Sequence, residues 1–245
     1  SRTLNGYYNW FVTSADGSLE SKKITKSAQN NRLITFNNDL TKGVYLQGRN
    51  EIYTIDLKTF KSELIVKDEL WGIYNSNPYF SPDGKYILYN AYRDFEADIF
   101  VYNLETKIII NLTKTKVSES EPTWSADGKY IYFSSERTAP NFPSGGNGKS
   151  KVYQMALDKY EAPFRIDKVN ELFTEKEKKD DQKDKKEEKK ETVTVSINEK
   201  GLMDRLTAIS PSFGAQSNIT IVNDGAKTHV IYLSNHDQGR NKLWM

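Results

Sequence analysis

One eighteen-residue pattern occurs twice, and that repetition limits what the chain can fold into. NPYFSPDGKYILYNAYRD begins at Asn77 and EPTWSADGKYIYFSSERT begins at Glu121. Pro78 matches Pro122, Asp83 matches Asp127 and Gly84 matches Gly128, each pair 44 residues apart. Each copy predicts a short strand, a tight turn and a second strand. In the turn, Asp offers a side-chain acceptor to nearby backbone amides and Gly accepts positive φ. The Lys-Tyr-Ile stretch that follows alternates as strands do.

A second element recurs further along each copy. Asn50-Glu51-Ile52-Tyr53, Ala97-Asp98-Ile99-Phe100, Ser150-Lys151-Val152-Tyr153 and Asn241-Lys242-Leu243-Trp244 each open another strand. Two of these joints, QGRNEIY from Gln47 and QGRNKLW from Gln238, are nearly identical. Together the elements give about four strands per unit of forty to fifty residues, the period of propeller blades. An aromatic content of 12% supports the strand reading. The expected fold is therefore all-β, an incomplete β-propeller of four-stranded antiparallel blades. Phe80 and Trp124 are expected to fill the space between blades.

Five units are represented, the first and last partial: 1–27, 28–70, 71–114, 115–200 and 201–245. In the first, strands are expected at about Tyr7–Thr13 and Leu19–Ile24, and a further one at Val193–Ile197 in the fourth. The unit 115–200 carries an insertion at 174–191 with eight lysines and eight acidic residues. Such a segment can bury almost nothing and reads as a solvated excursion. Bare sheet edges at both ends suggest a segment of a larger propeller, with further domains elsewhere.

The run ending in Gly148-Lys149-Ser150 raises the question of a phosphate-binding loop. That motif needs Gly five residues before Gly148, where Pro143 stands, and a helix afterwards, where Val152-Tyr153-Gln154-Met155 predicts strand. The run reads as a hairpin connection, so no nucleotide is implied. Absence of cysteine rules out disulfides and thiolate metal sites. A net charge of +2 gives no long-range field for nucleic acid or anionic lipid, and no apolar run is long enough to span a bilayer. The compartment stays open between cytoplasm and periplasm. His229 and His236, the only histidines, lack a surrounding ligand cluster or Ser-His-Asp order, and no G-x-S-x-G elbow is present. No catalytic residue, metal site or cofactor is assigned. Asp83 and Asp127 recur in equivalent turns and read as turn formers.

Binding candidates lie in the loops between second and third strands and in the links between blades, which share one propeller face. They are Arg49, Arg93, Arg137 and Arg240, with Glu96 and Glu136 nearby, and the aromatic pair Trp71 and Tyr74. The guanidinium groups could meet peptide carboxylates or carbonyls, or each could pin its own loop through an ion pair. The long loop 138–150, the strongest departure from the repeat, is a partner-contact candidate.

The S-P-D-G-K-Y turn at Ser81, its S-A-D-G-K-Y counterpart at Ser125 and the S-x-R pattern at Ser135 resemble TolB-like propellers. The charged insertion followed by Gly201-Leu202-Met203-Asp204-Arg205 resembles tricorn-type serine proteases, in which a Gly-x-x-x-Arg element leads from blade to blade. That resemblance implies a non-catalytic propeller segment that guides or filters peptides, or assembles domains, beside a catalytic domain outside this chain. The expected partners are peptides or a protein, together with the parent's other domains. A TolB-like protein-binding scaffold and the lid propeller of a prolyl-oligopeptidase-type enzyme are the alternatives.

Overall fold

The computed structural model describes residues 1–71, 77–115, 117–137, 150–158, 193–224 and 227–245. Tyr74, the loop at 138–149 and the charged insertion at 174–191 lie outside the described residues.

The repeated sequence folds into repeated antiparallel sheets. Blade I comprises β5 (Asn31–Phe36), β6 (Lys42–Gln47), β7 (Glu51–Asp56) and β8 (Ser62–Lys67). Blade II comprises β9 (Tyr79–Phe80), β10 (Tyr86–Ala91), β11 (Asp98–Asn103) and β12 (Ile109–Asn111). Blade III comprises β13 (Glu119–Trp124), β14 (Tyr130–Ser135), β15 (Lys151–Ala156) and β16 (Leu206–Ala208). Blade IV has three strands, β17 (Gln216–Asp224), β18 (Lys227–Ser234) and β19 (Lys242–Trp244). Ahead of blade I, β1 (Arg2–Leu4) pairs with β2 (Tyr7–Asn9), and β3 (Phe11–Val12) pairs with β4 (Lys22–Lys23). The first unit is thus two small ribbons rather than two strands.

Strand period 2 explains why both faces of each inner blade are apolar. In blade II, Ile87, Tyr89, Phe100 and Tyr102 pack toward blade I, against Val44, Leu46, Ile52 and Val66. The alternate residues Leu88, Ile99 and Val101 pack toward blade III, against Ile131, Phe133, Tyr153 and Met155. Phe80 and Trp124 fall in these two interblade cores, as their repeat position predicts. Each fully buried aliphatic or aromatic side chain here contributes roughly 1.5–3 kcal/mol. One aromatic pair crosses from second to third strand in each full blade: Tyr45–Tyr53, Tyr89–Phe100 and Phe133–Tyr153, at 5.7, 5.6 and 6.2 Å. All three are directly opposed in register.

The Ser-x-Asp-Gly turns form as the residues dictate. Ser81 Oγ donates to Asp83 Oδ1 at 2.6 Å, the Lys85 amide donates to the same oxygen, and Gly84 takes φ 72°. Ser125, Asp127, Lys129 and Gly128 repeat this, with φ 68° at Gly128. These carboxylates are turn formers.

Two expectations are corrected. Val193–Ile197 pairs into no sheet, and the outermost strand of blade III is Leu206–Ala208, beyond the expected boundary at 200–201. The reason lies in hydrogen bonds and packing made across the turn end. The Val195 amide donates to Asp83 Oδ2 at 2.9 Å, and its buried side chain packs over Gly128, so 193–199 forms a strap across both turns. Asn198 then donates to the Leu157 carbonyl at 2.8 Å. Gly201, at φ 70°, opens a 3-10 turn, and Arg205 grips four carbonyls: Ala156, Leu157, Asn198 and Lys200. The Gly-x-x-x-Arg element therefore returns the chain to blade III instead of leading to the next blade.

Candidate functional site

Second-to-third-strand loops and interblade links come together at the blade ends opposite the Asp-Gly turns. Backbone bonds knit them: Asp68 N–H donates to Asn50 O at 2.9 Å and Tyr92 N–H donates to Glu69 O at 2.7 Å. The four candidate arginines then divide into two kinds.

Arg93 and Arg137 are committed within the protein. Arg93 donates Nε to Asp68 Oδ1 at 2.9 Å and Nη2 to Oδ2 at 2.6 Å, a bidentate pair. Tyr89 Oη donates to the same carboxylate, and the guanidinium sits 4.3 Å from the Phe100 ring centroid. The Asp68 hydrogen bond raises the Arg93 pKa, while burial and then the Asp68 charge push the Tyr89 phenol well above its ordinary range. Arg137 donates one Nη2 bond to Glu119 Oε1 at 2.7 Å. Burial raises the Glu119 pKa, against the opposing effect of Arg137. Glu96 accepts from Ser118 Oγ at 2.5 Å, tying its loop to the following link.

Arg49 and Arg240 are exposed, and neither guanidinium has an ion-pair partner among the described residues. Arg49 borders a groove of about 1760 Å³ that runs between the N-terminal ribbons and blade I. Tyr7, Tyr8, Trp10, Asn30, Asp68, Glu69 and Trp71 share its lining. The structure thus brings Arg49 and Trp71 to one groove and leaves Arg240 apart, on blade IV. Trp71 stacks on Tyr92 at 5.0 Å and 12° and meets Phe95 edge-on at 6.1 Å. Phe95 is 82% exposed. Trp71, Asp94 and Phe95 all have positive φ, at 45°, 57° and 68°, a conformation unfavourable for bulky side chains.

Sequence reasoning missed Tyr7, Tyr8 and Phe95, together with the acids Asp68 and Glu119. The available signal was position: both acids sit where an interblade link meets a strand. Among the described residues no cluster of three or more His, Asp or Glu could hold a metal. His229 lies in β18 opposite Val222, and His236 packs between Phe213 and Trp244. His236 Nδ1 lies 2.7 Å from Ser234 Oγ, but Ser234 is fully buried and already accepts from the Gln216 amide. That hydrogen bond lies within blade IV. Among the described residues no helix is long and apolar enough to cross a membrane.

Comparison with known proteins places these features in context. No curated protein matches the sequence. The structure is similar to that of the tricorn protease, with TM-score 0.58 and 18% identity over 92% of this chain and 23% of that one. It is also similar to TolB from Acinetobacter baumannii, with TM-score 0.52 and 16% identity over 95% of this chain and 47% of that one. The chain spans under half the length of either. Such low identities show a shared fold. The family model for the TolB beta propeller domain matches residues 7–244, and the chain belongs to that family.

Proposed function

We propose that this segment is a non-catalytic recognition surface, which guides or filters peptides within a larger tricorn-type serine peptidase or assembles its domains. The observation that carries the reading is the groove in which Arg49, an uncommitted cation, and Trp71, a half-exposed ring, come together. An aromatic anchor beside a charged side chain is what tight peptide contacts are built from. Arg240 and Glu96 belong to the same type of loop and extend the candidate surface. Arg93 and Arg137 support it indirectly, by fixing the loops that carry its residues.

A second reading, a TolB-like protein-binding scaffold, is favoured by the family match over residues 7–244. Calorimetry of the 245-residue chain with a random-sequence peptide pool tests recognition under both readings. Binding that falls on Arg49→Ala or Trp71→Ala is the expected result, and absence of any binding overturns it. The full gene sequence separates the two: a downstream peptidase region supports the first reading, and none supports the second.

A further inference from the structure

The turn between β1 and β2 is an Asn-Gly pair, Asn5-Gly6, closed by the register partners Leu4 and Tyr7. Both residues take positive φ, 53° and 83°, as a two-residue type I′ loop requires. Both are exposed, and the Asn5 side-chain amide makes no hydrogen bond among the described residues. A Cβ on Gly6 would meet nothing within 4 Å. The chain's other Asn-Gly pair, Asn147-Gly148, lies outside the described residues. Every remaining asparagine precedes a residue whose side chain hinders the neighbouring amide nitrogen.

The ribbon that carries this turn is weakly held. β1 pairs with β2 alone, over three residue pairs, and Ser1, Arg2, Thr3, Tyr7 and Tyr8 are exposed. A two-stranded ribbon of this kind is marginal in water, so the turn opens and its backbone samples other conformations. β2 is tied to blade I, because the Tyr8 amide donates to Asn30 Oδ1 and its carbonyl accepts from Asn31 Nδ2, both at 2.9 Å. β1 has a lesser tie, the Arg2 guanidinium 5.6 Å from the Phe11 ring centroid. The strand free to leave is β1.

We infer that Asn5 is a self-modification site, through which the ribbon converts irreversibly from closed to open. In the opened turn the Gly6 amide nitrogen attacks Asn5 Cγ. The new N–C bond closes a cyclic imide, and the side-chain nitrogen departs as ammonia with the proton that Gly6 gives up. Water then adds at either imide carbonyl, and the C–N bond there breaks. One product is aspartate with an ordinary backbone. In the other, isoaspartate, the main chain runs through Cβ and Cγ. Water is the only reactant besides the chain, and nothing is oxidised or reduced. Aspartate before glycine still suits a type I′ turn. Isoaspartate lengthens the main chain inside a two-residue loop, so Leu4 and Tyr7 cannot return to register. β1 then stays detached while β2 remains on blade I, and the groove edge beside Tyr7 and Tyr8 is freed.

This inference stands apart from the proposed recognition role. The folded 245-residue chain is held at neutral pH and body temperature, sampled over time, digested with trypsin under mildly acidic conditions and weighed. Fragment 3–22 is expected to gain about one dalton, the exchange of NH for O, while fragment 27–32, which holds Asn30 and Asn31, does not. Asn5→Gln is expected to abolish the gain. Asp16-Gly17 shares the fragment but has no amide nitrogen to lose, so it adds no mass. Enzymatic methylation of isoaspartate on the same samples separates the two products. Hydrogen exchange is expected to show protection of the β1–β2 amides lost in the isoaspartyl form and kept in Asn5→Asp. A folded chain whose fragment 3–22 gains mass no faster than fragment 27–32 overturns the inference. So does an isoaspartyl form whose β1–β2 amides exchange as slowly as those of Asn5→Asp.

Discussion

Gly84 and Gly128 occupy the same position of the same turn, and substituting each with alanine isolates the effect of the strap. Both have positive φ, 72° and 68°, so a Cβ at either costs about 1–2 kcal/mol in backbone strain. Around Gly84 a Cβ meets nothing within 4 Å. At Gly128 it falls 2.6 Å from Val195 Cγ2 and 3.4 Å from Val193 Cγ1. Val195 is buried among Leu88, Trp124 and Met155, so it can yield only by shifting the strap, an overpacking cost of about 1–3 kcal/mol more. Urea unfolding of the wild type, Gly84→Ala and Gly128→Ala measures the difference, provided the three share one m-value. A Val195→Ala change in the Gly128→Ala background removes the collision, so the double variant is expected to lose less than the two single losses combined. Equal losses for the two alanine variants, or simple additivity in the cycle, would refute the placement of the strap over the turn.

Three other outcomes are expected. Arg205→Lys exchanges a planar fork for a single ammonium that cannot reach all four carbonyls, and thermal denaturation should show a loss of about 1–3 kcal/mol. Glu119 holds its proton more tightly when folded than when unfolded, because burial raises its pKa. Its contribution to stability is therefore fullest at low pH and declines as pH rises from the ordinary carboxylate range through the raised value; Glu119→Gln should flatten that part of a stability-versus-pH profile. Burial, reinforced by Asp127 and Tyr130, pushes Tyr132 up to about 12. The folded state thus favours the neutral phenol, and stability is lost as pH climbs from the ordinary tyrosine value of about 10 toward 12, a loss that Tyr132→Phe should reduce in alkaline unfolding.

The Asp-Gly turns and the blade spacing were legible because their causes are local. A side-chain acceptor beside a residue tolerant of positive φ specifies a turn wherever it occurs, and Tyr45, Tyr89 and Phe133 recur at intervals of 44 residues. The innermost strands hold a feature that no local preference announces. β5, β13 and β17 each carry a bulge, with Leu33, Glu121 and Asn218 at φ 55°. Leucine and glutamate do not favour that conformation. It is imposed where neighbouring blades meet, as when the Asn218 amide donates to Glu121 Oε2 at 2.7 Å. The outermost strand of blade III was misplaced for a related reason. Val193–Ile197 alternates like a strand, but its Val195 amide is taken by a carboxylate from blade II, a contact 112 residues away in sequence. The candidate arginines were located correctly on the loops. Which of them are committed depended on Asp68 and Glu119, whose distance in space the sequence does not reveal.

The hydrogen bond from Asn198 to Leu157 and the strap before it hold two points of the chain, distant in sequence, side by side at blade III. After residue 158 the described chain resumes at 193, the strap seats Val195, Asn198 donates to Leu157, and Arg205 staples the junction shut. The cost of closing such an excursion grows only logarithmically with its length, about 0.6 kcal/mol per doubling. Epitopes, reporters or whole modules spliced between 158 and 193, with the strap and its buried Val195 left whole, should therefore leave the host sheet undisturbed.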